Sequence, residues 1–351
     1  MTERVPRTSV ATRVRHLVPE PLRRRAARFV AGRRAAETER HLARLASDPR
    51  PIVLGPWVGE VGFELLYWVP FVRWFAERFD VAPDRLIAVS RGGAATWYSA
   101  FADGSYDALA FMTPDEFRRK NQARAGDLGE QKQIEPGRLE QELISLIREA
   151  AGRDLAVLHP SVMYRLFAPY WWGHAPIDWV RQYTRHELLP AVPLDPPSAA
   201  AYTAVKFYFN DCFTDTSAHR AFVTQTVSRL SRQGAVISLS TGICVDDHAP
   251  CEPEVPAVPG IQNYVTPESN LRVQSAVVSN AVRFVGTYGG FAYLAPLFGV
   301  PAVAYHAGPG AFSMRHLDVI RDVLRSQGRP ELLEVSDIEG SPVRGMITDG
   351  W

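Results

Sequence analysis

The segment Phe284-Val285-Gly286-Thr287-Tyr288-Gly289-Gly290-Phe291-Ala292-Tyr293-Leu294-Ala295-Pro296-Leu297-Phe298-Gly299-Val300-Pro301-Ala302-Val303-Ala304-Tyr305 narrows the possible folds more than any other. A short apolar run meets a glycine turn, a compact apolar stretch, Gly299, and a second apolar run after Pro301. That order reads as strand, tight turn, helix, stop and strand. Such a unit joins parallel strands through a helical crossover. A helix N-terminus offers unpaired N–H groups and the positive end of a dipole, and glycines let a ligand approach the backbone. A diphosphate suits that place. The alternative is that Gly289-Gly290 only tightens the turn.

The same alternation recurs on both sides of a proline-rich stretch. Strands are expected at 51–55, 85–90, 106–111 and 155–158, with helical density over Leu65–Phe75 and an amphipathic helix over Glu140–Glu149. Past the prolines, strands are expected at 205–209, 235–239, 262–265, 282–285 and 301–305. Helices are expected from Thr216 or Ser217 to about Arg232, from Pro267, over 291–298 and over Met314–Arg325. This predicts an α/β protein of two Rossmann-like domains. The expected divisions are an N-terminal arm (1–49), a first Rossmann-like domain (50–189), a Pro-rich linker (190–202), a second Rossmann-like domain (203–338) and a C-terminal tail (339–351).

Charge matters in one place. Residues 1–50 hold 13 Arg, no Lys and five acids, whereas the whole chain carries a formal +1. The arm is either a surface element that touches anionic lipid headgroups or a helix packed on the body. It lacks the interleaved aromatics of a nucleic-acid binder, so no nucleic acid is expected. Residues 1–45 are expected to be dispensable for chemistry. Three cysteines with no CxxC pair do not make a disulfide framework. There is no apolar core of a signal peptide and no run of 18 apolar residues. A cytoplasmic location is expected, with the inner face of the plasma membrane as a variant of it. Cys244, Asp246, Asp247, His248 and Cys251 fit no standard zinc spacing and read as a polar loop.

The glycine-turn segment resembles the donor-binding region of glycosyltransferases with the GT-B fold, especially the heptosyltransferase-like group. Leu294-Ala295, Gly299 and Pro301 match its xxLAxxxGxP helix, and Tyr288 stands near the place of that group's turn Asp. Gly55-Pro56-Trp57-Val58-Gly59-Glu60-Val61-Gly62-Phe63-Glu64 follows the first strand, like that group's N-terminal loop with its catalytic carboxylate. Glu64 has the matching spacing to Pro70, while Glu60 matches the Gly-Glu of the related Kdo transferases. One Glu is expected to take the acceptor proton and the other to be structural.

The resemblance implies a GT-B-like pair of facing domains that transfers a sugar, with inversion and without metal, from a nucleotide-sugar donor to a carbohydrate or lipid-linked glycan acceptor in cell-surface glycan assembly. No cofactor is called for. Donor contacts are expected from Lys206, Tyr208, Asn210, Ser240, Thr241, Gly242, Thr287, Tyr288, Gly289 and Gly290. Acceptor contacts are expected from Arg91 and His159. The aromatic run Tyr164, Phe167, Tyr170, Trp171 and Trp172 either stacks on a sugar or fills a core. A nucleotide-sugar epimerase of the same fold and a non-catalytic glycan- or nucleotide-binding protein are the rival readings.

Overall fold

A computed structural model describes residues 20–128, 132–194, 201–243, 249–250, 255, 258–308 and 313–339, with the side chains of 20–28 and 249–250 excepted. The loop of Cys244 to Cys251, the centre of the Pro-rich linker and the tail from 340 lie outside them, apart from Ala249 and Pro250.

The chain opens with a 28-residue helix, α1 (Glu20–Ser47). In the first half follow β1 (Ile52–Leu54), α2 (Val69–Arg78), β2 (Leu86–Ser90), β3 (Gly104–Asp107), α3 (Pro114–Leu128), α4 (Arg138–Ala151), β4 (Ala156–Leu158), α5 (Ser161–Trp171) and α6 (Asp178–Gln182). The second half holds β5 (Tyr202–Lys206), β6 (Tyr208–Phe209), α7 (Ser217–Gln233), β7 (Ala235–Ser238), β8 (Ala249–Pro250), α8 (Asn270–Ser279), β9 (Arg283–Thr287), α9 (Gly290–Leu297), β10 (Ala302–His306), α10 (Met314–Ser326) and β11 (Leu333–Asp337). The first sheet has the order β3-β2-β1-β4 and the second β11-β10-β9-β5-β7. Every neighbouring pair within these two sheets is parallel. β6 and β8 form a small antiparallel pair beside them.

The α/β reading with two parallel sheets therefore holds. β1 is uninterrupted apolar sequence because both of its faces are covered, and Ile52, Val53 and Leu54 are fully buried. α7 is capped by Thr216, whose hydroxyl accepts from the His219 N–H at 3.1 Å. α9 stops before Gly299, a left-handed residue with φ +79°.

Several elements differ from expectation. The third strand lies at 104–107, because the Asp107 carboxylate accepts from Leu109 N–H and turns the chain. Residues Gln262–Tyr264 form a short 3-10 turn rather than a strand. α3 and β11 have no counterpart in the sequence reading. β5 begins at Tyr202, inside the expected linker, and Leu189 N–H donates to Leu297 O just before it. The N-terminal arm is not merely appended: Ala31, Ala35 and Leu42 are buried on one face of α1, which packs along α5. Among the described residues no helix is long and apolar enough to cross a membrane.

Candidate active-site cleft

The second sheet runs, in its own sequence order, 2-1-3-4-5. Strand order reverses between β5 and β9, and open α/β sheets leave a crevice at that point beyond the carboxyl ends of the strands. β5 ends at Lys206 and β9 ends at the Tyr288-Gly289-Gly290 turn. Both line a cleft of about 270 Å³ whose other wall is the loop and helix after β1.

Glycine at 289 and 290 has specific causes. Gly289 has φ +154°, and a Cβ there would lie 2.0 Å from the Tyr208 hydroxyl. A Cβ on Gly290 would lie 2.8 Å from both Gly62 N and the Val61 Cγ1. The N-terminus of α9 is thus one place where the two halves of the chain approach backbone to backbone; another is the Gly92 carbonyl, which accepts from Leu271 N–H at 2.6 Å.

The facing wall is built around an irregular helical start. Glu64–Trp68 forms a π-helical turn that runs into α2. Pro70 has no N–H to return to the preceding turn. The Leu66 carbonyl accepts from His186 Nε2 at 3.0 Å instead. The wide turn sends Glu64 inward, while Phe63, Leu66 and Tyr67 border the cleft.

The two glutamates separate. Glu60 is exposed and lines the cleft. Glu64 is fully buried. Its Oε1 accepts from Ser90 Oγ at 2.6 Å and from Tyr98 OH at 2.7 Å, and its Oε2 meets Arg91 Nη1 at 3.2 Å. Burial pushes the Glu64 carboxyl up from the ordinary range, and the Arg91 guanidinium opposes that shift. Arg91 Nη2 also donates to the Gly59 carbonyl. The Glu60 carbonyl accepts from Trp57 Nε1 at 3.3 Å and from Glu64 N at 3.1 Å. Glu64 and Arg91 therefore brace the loop that presents Glu60.

Lys206, Tyr208, Asn210, Ser240, Thr241, Gly242, Tyr288, Gly289 and Gly290 come together on the second wall, and Glu60 and Arg91 on the first. Three expected site residues stand away from the cleft lining. One is Glu64. Thr287 is another: it is fully buried, and its hydroxyl donates to Tyr208 O at 3.0 Å and accepts from Tyr208 N at 3.1 Å, tying β9 to the start of β6. The third is His159, buried at the end of β4, where Nδ1 accepts from Ser161 N–H at 3.1 Å. Tyr164, Phe167 and Tyr170 are core residues, while Trp172 is 74% exposed.

The sequence reading passed over Asn270, Gln274, Tyr67 and His316, all of which line the cleft. Asn270 and Gln274 are an i,i+4 amide pair on α8, and that pairing was the available signal. Tyr67 and His316 come from opposite halves of the chain, and their side chains meet at 2.8 Å. No sequence pattern announces such a contact. Burial holds the His316 imidazole down to about 4, with Lys132 adding to the shift.

No protein-family model and no curated protein matches the chain. Solved structures similar to it include several glycosyltransferases and a putative UDP-N-acetylglucosamine 2-epimerase from Listeria monocytogenes, the latter at 9% identity and a TM-score of 0.32, over 81% of this chain and 90% of that one. The glycosyltransferases include the iron-containing dodecameric glycosyltransferase TibC of enterotoxigenic E. coli H10407, at 13% identity and a TM-score of 0.41, over 73% of this chain and 58% of that one. E. coli ADP-heptose lps heptosyltransferase II has 11% identity and a TM-score of 0.39, over 82% of this chain and 90% of that one. E. coli heptosyltransferase WaaC with ADP has 13% identity and a TM-score of 0.35, over 75% and 90%. This chain spans 58% of the length of TibC. At these identities the likeness says nothing of substrates, and the chemistry is read from the cleft itself.

Proposed function

We propose that the chain is a glycosyltransferase that moves a sugar from a nucleotide-sugar donor to a carbohydrate acceptor. The observation that carries this reading is the opposition across one cleft of an exposed carboxylate, Glu60, and a cationic, amide-rich wall at a topological switch point. Lys206 and the N-terminus of α9 offer positive charge to a diphosphate, and Ser240-Thr241-Gly242 borders the same wall for the nucleoside.

In the proposed reaction Glu60 takes the proton of the acceptor hydroxyl. The hydroxyl oxygen bonds to the anomeric carbon as the bond to the diphosphate oxygen breaks, and the nucleoside diphosphate leaves with that electron pair. The displacement inverts the anomeric centre. Lys206 and the backbone amides offset the charge that develops on the leaving group, so the scheme requires no metal.

We assign the acceptor to the glycan class, lipid-linked forms included, and place the work at the cytoplasmic membrane face in surface-glycan assembly. Support for contact with anionic lipid comes from α1, which exposes Arg33, Arg34, Phe29 and Val30. Equal co-sedimentation of the native chain and an Arg33→Glu/Arg34→Glu variant with anionic vesicles would remove the membrane contact.

Nucleotide release from a panel of nucleotide-sugars, with and without glycan acceptors, tests the main reading. Release that depends on acceptor is expected. Interconversion of donor without acceptor would indicate an epimerase, and binding without any turnover a non-catalytic protein.

A further inference from the structure

Lys206 is the side chain through which the donor wall puts a full positive charge into the cleft. It does not stand in open solvent. Its Nζ donates to Gln274 Oε1, and it lies 4.0 Å from the centroid of the Phe291 ring. Gln274 is itself fixed. It is 1% exposed, and its Nε2 donates to Asn270 Oδ1 at 2.8 Å and to Asn270 O at 3.2 Å. Both partners are acceptors, so the NH₂ end must face Asn270 and the carbonyl oxygen must face the ammonium.

The choice of residue types has a consequence. A glutamate in place of Gln274 would hold the lysine and also neutralise it. A glutamine oxygen and an aromatic face hold it without themselves adding a negative charge. A lysine side chain otherwise loses considerable rotamer freedom when it closes on a ligand. We propose that Gln274 is a positioning residue: clamped by Asn270, it presets the Lys206 ammonium, with Phe291 as the opposing wall, for the diphosphate of the donor. This inference rests on the reading of Lys206 as a diphosphate contact.

The test is a double-mutant cycle read by calorimetry with ADP, UDP and GDP, and with adenosine, uridine and guanosine as controls without phosphate. The variants are Lys206→Ala, Gln274→Met, Gln274→Glu and the Lys206→Ala/Gln274→Met pair, each checked for a native unfolding transition. Gln274→Met keeps the volume and removes the amide. It is expected to weaken nucleoside diphosphate binding roughly 3–10-fold, the scale of one side chain that must now be immobilised on binding. Nucleoside binding should not change, and the loss should vanish in the Lys206→Ala background. Gln274→Glu, which keeps the Asn270 side of the helix filled by a polar group, should weaken diphosphate binding near neutral pH and recover as the pH is lowered through the carboxylate range. An equal loss from Gln274→Met with and without Lys206 would overturn the proposal, since the amide would then act by itself. So would unchanged diphosphate affinity in both Gln274 variants while Lys206→Ala weakens it. Unchanged affinity in Lys206→Ala would instead remove the diphosphate contact on which the inference rests, and the inference with it.

Discussion

Arg91 and Glu64 form an ion pair at 3.2 Å in which the guanidinium is 3% and the carboxylate 0% exposed. Arg91 lines the cleft with Glu64 behind it, and its second Nη reaches the Gly59 carbonyl beside Glu60. A buried pair of this kind contributes little net stability while intact, but breaking it leaves a charge stranded. Its role is to hold one loop in one geometry.

That arrangement gives the two glutamates opposite mutational signatures. Glu60→Gln should cut turnover by about 10²–10⁴ while leaving nucleoside diphosphate affinity and melting temperature near native. Glu64→Gln should unfold more easily, by about 3 kcal/mol, because Arg91 keeps its burial and loses its counter-charge. Initial rates, calorimetry and urea unfolding on both variants decide the matter. A Glu60→Gln protein with native turnover would take the Glu60 loop out of the mechanism.

Substitution at Gly290 should act on the contact between the two walls as well as on the donor. A β-carbon there meets Gly62 N and the Val61 side chain at 2.8 Å. Even Gly290→Ala is expected to lower the melting temperature, and Gly290→Leu should also lose donor binding. Scattering should show a larger radius of gyration for the Leu variant. An unaltered radius with donor binding lost would return the effect to blocked approach of the diphosphate alone.

Removal of residues 1–47 should destabilise the fold. α1 contributes Leu42 to the core, Glu39 Oε1 accepts from Tyr183 OH at 3.0 Å, and the Ala46 carbonyl accepts from Arg85 Nη1 at 3.0 Å. Leu42→Ala should cost about 2–5 kcal/mol. Thermal unfolding of this variant and of a chain beginning at Asp48 checks this. Native stability in both would show that α1 adds nothing to the stability of the fold.

The protein should lose stability in acid through its buried histidines. His159 is pushed down to about 4 by burial, helped by Arg124 and Arg165. Nδ1 accepts a backbone N–H, so the neutral ring carries its proton on Nε2, which has no partner among the described residues. The unfolded chain binds this proton near pH 6.5 and the folded one only near 4. Stability from this residue is complete above the unfolded value and falls as pH drops through the window between the two, by about 3 kcal/mol at most. His186 and His316, also near 4, steepen the same limb. Urea unfolding at pH 7 and pH 5 should show the loss, and His159→Gln should reduce it. An identical slope in that variant would exclude His159 as a contributor.

The local strings of this chain determined most of the strands and the donor-side turn. Buried parallel strands must be apolar on both faces, so Ile52–Leu54 and Ala302–His306 announce themselves, and Gly289-Gly290 before an apolar helix marks a close approach whichever partner makes it. The partner was decided only in three dimensions. Gly290 meets Gly62 across more than two hundred residues, Thr287 spends its hydroxyl on Tyr208, and Gln274 of α8 accepts from the lysine at the end of β5. The choice between Glu60 and Glu64 shows the limit most clearly. Four residues apart, they carry the same chemistry, and spacing alone left both open. A π-helical turn ahead of Pro70 sends one carboxylate into a pocket of Ser90, Arg91 and Tyr98 and leaves the other at the cleft. Burial and partner groups are properties of the packed chain, and they separate two identical side chains that a linear pattern cannot.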